Sequence, residues 1–257
     1  MTTMLRRFLL LVSAVLLVAC ATSDLSPASQ PSVPRSRARP HVDIGVLKML
    51  ARGGTLAAAS RSDALPVHVG PGTERPYQHL AADNPYGQQL RVLVVRDAID
   101  DEGDIWLKVQ LPLWPNGQEG WVKASDVRLA PATERLVVDL SARRLVRFRE
   151  GRKVTKLHVA IGKAATPTPP GRFFVWARIG TGRPSGPYGS YILGLSGFSE
   201  AIEPWTEWPG QPRLAIHGTD DPADAGRAVS NGCIRVLNRL LRVLHDVPMG
   251  TPVLIRP

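Results

Sequence analysis

Residues 135–161, RLVVDLSARRLVRFREGRKVTKLHVAI, hold three apolar runs with no room for a helix between them. Arg135–Leu140, Leu145–Phe148 and Val154–Ile161 are each of strand length and are separated by short polar gaps. This predicts a succession of hairpins and argues against the strand–helix alternation of a doubly wound parallel sheet. Downstream, Thr166-Pro167-Thr168-Pro169-Pro170-Gly171 reads as a rigid turn feeding a strand at Arg172–Trp176. Gly194–Arg213, with Trp205 and Trp208, shows no periodicity and reads as a long loop. Leu237, Leu240, Leu241 and Leu244 fall at helical spacing, with Asn238 as a candidate N-cap, and they predict the one clear helix of this region. Thr251–Ile255 is expected to be the closing strand.

Upstream, Leu65–Val69, Leu90–Val95, Ile105–Val109 and Gly120–Lys123 are short strands bounded by turn residues such as Gly70-Pro71-Gly72 and Pro115-Asn116-Gly117. That spacing predicts a small barrel. The run DIWLKVQLP…GQEGWVKASDVRL resembles bacterial SH3-like domains, which commonly accompany cell-wall enzymes. Trp106 and Trp121 are expected in its core rather than on a ligand platform. Val42–Arg52 is a short helix candidate ending at Gly53-Gly54. The fold class expected is therefore mainly β. A linker at 41–64 leads to an SH3-like barrel at 65–131, and a second β-rich module follows at 133–257.

Composition agrees. Of 257 residues, 44% are hydrophobic, which excludes wholesale disorder. Gly and Pro number 23 each, which favours turns and short strands over a helical bundle. The net charge of +10 is unevenly placed. Residues 41–132 carry nine Lys and Arg against eleven Asp and Glu, whereas residues 133–257 carry eighteen against ten. A basic second module suits an anionic polymer, a carboxylate substrate or a membrane surface, and equally a solvated Arg-rich surface. No nucleic-acid motif accompanies the charge, so no nucleic-acid partner is expected. The six histidines show no H-x-x-x-H spacing and there are only two cysteines, so neither a metal site nor a cofactor is expected.

Residues 1–19 have the form of a signal peptide: Arg6 and Arg7, then an apolar stretch at Leu9–Ala19 too short to span a membrane. Leu17-Val18-Ala19-Cys20 resembles a bacterial lipobox, which makes Cys20 a candidate lipidation site. Residues 20–40 are rich in Ser, Pro and Arg and read as a flexible tether. The expected location is the cell envelope, outside the cytoplasm and anchored to a membrane through an N-terminal lipid. Cys233 is then the one thiol without an assigned role.

Its neighbours suggest a role. Ala215-Ile216-His217-Gly218-Thr219 is followed by Ser230-Asn231-Gly232-Cys233-Ile234-Arg235. A thiol becomes a competent nucleophile when an imidazole takes its proton. Gly232 removes bulk, so backbone N–H groups near Cys233 could face an oxyanion. Arg235 can grip a carboxylate bidentately. A buried structural Cys/His pair would satisfy the same residues.

The segment IHGT…AVSNGCIRV resembles the signature of YkuD-type L,D-transpeptidases. TPTPPGRF is similar to that family's upstream turn and MGTPVLI to its closing strand. The resemblance covers about 133–257 and implies a β-rich fold with Cys233 as nucleophile and His217 as general base. Ser230, Gly232 and Arg235 fall on the family's Ser-x-Gly-Cys-x-Arg segment, and Asn231 stands where many members have a second histidine. Gly218, next to the base, and Arg235 are expected to bind substrate. Tyr188 and Tyr191 are candidates for the donor pocket, though packing under a loop would explain them as well. His158 is expected to pack within a strand and His245 to end the helix. The implied function is cross-linking of peptidoglycan stem peptides through a thioester, with release of D-Ala. The alternatives are an L,D-carboxypeptidase or other secreted wall-peptide cysteine hydrolase, transfer to a lipoprotein lysine, and a non-catalytic wall-binding lipoprotein.

Overall fold

The structure is a computed structural model that describes residues 44–202 and 212–257. The expected signal at 1–19, Cys20, the tether at 20–40, Trp205 and Trp208 lie outside the described residues. The chain is mainly β, as expected. After helix α1 (Ile44–Ala51) come β1 (Leu56–Ser60), β2 (Ala64–Val67), β3 (Gln78–Ala81), β4 (Val92–Ile99), β5 (Ile105–Gln110), β6 (Glu119–Lys123) and β7 (Val127–Pro131). These give a five-stranded antiparallel sheet in the order β6-β5-β4-β1-β7, with β2-β3 as a separate hairpin. Trp106 and Trp121 are buried within it. The sequence reading overlooks β1, β3 and β7. The segment LAAAS of β1 is buried at all five positions, so it has no alternation to read.

The strands that follow are β8 (Glu134–Asp139), β9 (Arg144–Arg149), β10 (Arg152–His158), β11 (Ile161–Gly162), β12 (Gly171–Gly180), β13 (Tyr191–Phe198), β14 (Arg213–Thr219), β15 (Ala228–Ser230), β16 (Ile234–Leu237) and β17 (Pro252–Arg256), and eight of them form the second sheet. Its eight strands run β10-β9-β8-β17-β12-β13-β14-β16, with β11-β15 as a small parallel pair beside them. Three expectations are corrected. The supposed loop at Gly194–Arg213 includes most of β13, whose last six residues are all buried, so period two is absent there as well. The helix is a 3-10 helix over Asn238–Leu244, and Asn238 makes no side-chain cap; its Nδ2 donates instead to the Gly186 carbonyl. His158 is exposed at the end of β10 rather than packed. His245 does terminate the 3-10 helix.

Two apolar clusters hold the sheets. One is centred on β8, β13, β14, β16 and β17. The other fills the N-terminal sheet but also takes in Phe174, Trp176 and Ala177 of β12. Polar clasps reinforce the junction. Asn84 Nδ2 donates to the Trp176 carbonyl at 2.9 Å. Gln88 donates to the Arg178 carbonyl at 2.6 Å and accepts from the Arg178 amide at 3.0 Å. Among the described residues, no helix is long and apolar enough to cross a membrane.

A buried ion network ties β8 and β9 to the chain after the 3-10 helix. Arg147, 3% exposed, grips Glu134 bidentately at 2.6 and 2.7 Å and reaches Asp246 at 2.6 Å. Arg149 bridges the same two carboxylates. Burial pushes the Glu134 pKa up, but the hydrogen bonds from Arg147 and Arg149 outweigh it and hold it below the usual range. This contribution is present above the unfolded carboxylate pKa and is lost as pH falls through the lowered folded value. Arg147→Met should cost about 3 kcal/mol, because it strips a buried carboxylate of its main partner. Thermal unfolding at neutral pH checks it, and the deficit should shrink in acid.

Candidate active site

The site is set by parallel pairing of β14 with β16, which aligns Ile216 with Ile234 and His217 with Arg235. One step back in that register, Cys233 lies against Ala215, whose backbone hydrogen bonds its thiol. Leu214 and Ile216 face the apolar cluster. Arg213, Ala215, His217 and Thr219 alternate with them and line a cleft of about 600 Å³ together with Cys233.

His217 is 4% exposed. Its Nδ1 lies 2.7 Å from the Gly218 carbonyl oxygen. A carbonyl only accepts, so Nδ1 carries the proton and Nε2 keeps a lone pair. Burial is the main reason its pKa falls to about 4, and the charge of Arg235 adds to the effect. Burial pushes the Cys233 thiol up, relieved in part by the Ala215 hydrogen bond and Arg235. Desolvation thus favours the neutral thiol–imidazole pair over the thiolate–imidazolium pair.

The loop bearing Cys233 is braced on several sides. Ser230 Oγ donates to the Cys233 carbonyl at 2.6 Å and accepts from the Gly232 amide at 3.1 Å. That amide is therefore engaged, not turned toward an oxyanion, in this structure. Thr168 Oγ1 donates to the Gly232 carbonyl and accepts from the Gly162 amide, both at 2.8 Å, which clamps the Pro-rich turn onto the loop. Gly232 has φ +110°, a region L side chains rarely adopt. Asn231 is exposed at the cleft edge.

Arg235 lines the cleft, but its Nη1 is held by Asp224 Oδ2 at 3.1 Å. Asp224 also accepts from Thr219 Oγ1 at 2.6 Å. The Tyr188 ring sits 4.8 Å from the His217 ring and lines the cleft. Tyr191 is not among the lining residues; its hydroxyl accepts from Arg178 Nε and its ring packs 4.9 Å from His245.

The structure adds Asp224, Thr168, Tyr86, Trp176 and Arg213 to the surroundings of the site. Of these, Thr168 stands in the TPTPPGRF segment, where the sequence signals turn chemistry. Among the described residues, no group of three or more His, Cys, Asp or Glu is placed to hold a metal.

Gly218 allows close packing behind His217. A Cβ there would stand 2.1 Å from Asn238 Oδ1 and 2.6 Å from the Gly189 Cα. Gly218→Ala should therefore destabilise the fold by about 1–3 kcal/mol through overpacking, and it should displace the carbonyl that orients His217. Thermal melts paired with acylation rates would show both losses.

Residues 133–255 match the YkuD family, described as the L,D-transpeptidase catalytic domain. The chain is 38% identical over 124 residues to a YkuD protein of Bacillus licheniformis, an alignment covering 48% of this chain and 66% of that protein. It is 35% identical over 121 residues to the YkuD protein of Bacillus subtilis, covering 47% and 64%. The chain thus spans just under two thirds of these relatives. The catalytic domain of an Enterococcus faecium L,D-transpeptidase acylated by ertapenem superposes at a TM-score of 0.36. That pairing has 24% identity and covers 48% of this chain and 97% of the other. The superposition is loose and bears on neither mechanism nor substrate.

Proposed function

Starting from a YkuD L,D-transpeptidase catalytic domain at residues 133–255, we propose that the chain cross-links peptidoglycan stem peptides through a cysteine thioester. Cys233 Sγ attacks the carbonyl of the amide that joins a diamino acid to a terminal D-Ala. His217 Nε2 takes the thiol proton and delivers it to the leaving amine as the C–N bond breaks. D-Ala departs, and an amine of a neighbouring stem displaces the thiolate to form the new amide. The observation that carries this reading is the placement of Cys233 and His217 in one cleft on paired strands, with the Nδ1 proton fixed on the Gly218 carbonyl. Desolvation favours the neutral pair, which supports proton transfer accompanying attack instead of preceding it. Ser230, Gly232 and Thr168 hold the nucleophile's loop, and Tyr188 flanks the base.

The proposal extends to the rest of the chain. The N-terminal sheet is an SH3-like module, Cys20 carries lipid after removal of residues 1–19, and the enzyme works in the cell envelope on a membrane-anchored tether. Cys20→Ala should then move the protein from the membrane fraction to the soluble fraction, because stable anchoring needs more than one acyl chain or signal and a lipidated cysteine supplies two or three chains. Unchanged detergent partitioning of this variant would count against lipidation.

Mass spectrometry of digested wall material, incubated with and without the protein, tests the function. Dimers linked directly between diamino acids, with D-Ala lost, are expected. Tripeptides accumulating without dimers would mark an L,D-carboxypeptidase, with water as the acceptor. Binding to wall material with no bond changed would mark a non-catalytic wall-binding protein.

A further inference from the structure

Arg213 is not part of the proposed chemistry, yet it lines the cleft. Its guanidinium is sandwiched between two rings, 3.9 Å from the Trp176 centroid and 4.4 Å from that of Phe198. One nitrogen, Nη2, donates to the Pro112 carbonyl at 3.1 Å. The other, Nη1, is buried with no hydrogen-bond partner among the described residues. Among the described residues, no carboxylate pairs with it. Burial alone brings its pKa down to about 10, with only Tyr86 opposing. A fixed, desolvated and unpaired guanidinium is costly to a fold unless something arrives to pair with it.

Its position says which part of a substrate it meets. Arg213, Ala215 and His217 follow one another along the cleft face of β14, and Cys233 lies at Ala215. The nucleophile therefore stands between the arginine and the base. Arg213 is two residues from Ala215, about 7 Å along the strand. His217 must reach the leaving amine, so the leaving D-Ala lies on the His217 side. The acyl half of the substrate then extends toward Arg213, past the Trp176 and Tyr86 rings, while Ile192 and Ile179 lie level with His217 on the leaving-group side.

We infer that Arg213 binds a carboxylate at the far end of the side chain of the diamino acid that becomes the thioester, and so selects a dicarboxylic diamino acid over its side-chain carboxamide. This rests on the function proposed above and deepens it. The planar fork suits a carboxylate, and the two rings hold it in place before the ligand arrives. Tyr86, on the β3–β4 connection that the Asn84 and Gln88 clasps hold against β12, joins the same wall, so the N-terminal part of the chain contributes to specificity.

The test uses the whole chain and two tetrapeptides that end in D-Ala. They differ only at the distal end of the third residue's side chain, free carboxylate in one and primary carboxamide in the other. Thioester formation is followed by intact-mass spectrometry in single turnover. A hydrogen bond to a charged group predicts that the wild type favours the free acid by about 10–100-fold in kcat/KM. Arg213→Met should collapse that ratio toward one, and Arg213→Lys, which keeps the charge without the fork, should fall between. A wild-type ratio near one overturns the inference while leaving the proposed function standing, and it needs no variant to fold. A large ratio that survives both substitutions also overturns it, because another group then reads the carboxylate. A wild type that acylates with a carbapenem but with neither peptide refutes the proposed function itself.

Discussion

Cys233→Ala is expected to leave no covalent adduct when the protein is incubated with a carbapenem, whereas the wild type gains the mass of one inhibitor. An electrophilic β-lactam that acylates the thiol reports on the nucleophile without needing the wall polymer. The chemical requirement is strict. The thiol is the group whose proton an uncharged imidazole can remove at the moment of attack, and no other nucleophile stands in its register position against Ala215. Removing the nucleophile of such a unit costs on the order of 10⁶-fold in rate. Cys233→Ser should be nearly as inert, because a hydroxyl is far less acidic than a thiol and this site offers one buried imidazole to activate it. A melting temperature close to that of the wild type would show that the fold survives. An adduct persisting in Cys233→Ala would remove Cys233 from the mechanism.

His217→Ala should slow acylation by about 10²–10⁴-fold while changing inhibitor affinity far less, since the ring moves a proton rather than holding the ligand. The pH profile separates this from a loss of packing. Burial holds the His217 pKa at about 4, below the ordinary 6.5. The imidazole is thus neutral and able to accept a proton through the mildly acidic range and charges only below it. Wild-type acylation should therefore stay near its plateau at pH 6 and fall with a midpoint near pH 4. The thiol is shifted upward, so no thiolate plateau should appear near neutrality. His217→Ala should lose the acid limb together with the rate. Asn231→His, at an exposed position on the cleft edge, should leave both nearly unchanged. Stopped-flow acylation from pH 3 to 9 checks all three proteins. If His217→Ala keeps the wild-type rate and acid limb, a different group is the base.

The pieces legible in the sequence share a physical character. Hairpins such as β8-β9 announce themselves because one face is buried and the other wet, so Leu136 and Val138 alternate with more exposed neighbours. The strands β1 and β13 are buried through most of their length and carry no such alternation. The helix near the C-terminus had helical spacing, but its seven residues wind as 3-10, with Asn238 drawn away to Gly186. Within the site, Cys233 and His217 could be found because their chemistry and flanking glycines are written in consecutive residues. Asp224 could not, since its meaning lies in meeting Arg235 and Thr219 across a turn. Arg213 was hidden for the same reason: Trp176, Phe198 and Pro112 are all distant in the chain.

The sharing of Phe174, Trp176 and Ala177 between β12 and the N-terminal cluster has a practical consequence. A recombinant fragment trimmed to the family boundary near residue 133 would look complete by motif but would be truncated in fact. It would bare these side chains, leave the Trp176 and Arg178 backbone groups without Asn84 and Gln88, and strip Tyr86 from the lining of the cleft. Such a fragment should be sticky in solution and permissive toward ligands the full chain rejects. Inhibitor screens run on it would rank compounds for a groove that the intact chain does not possess.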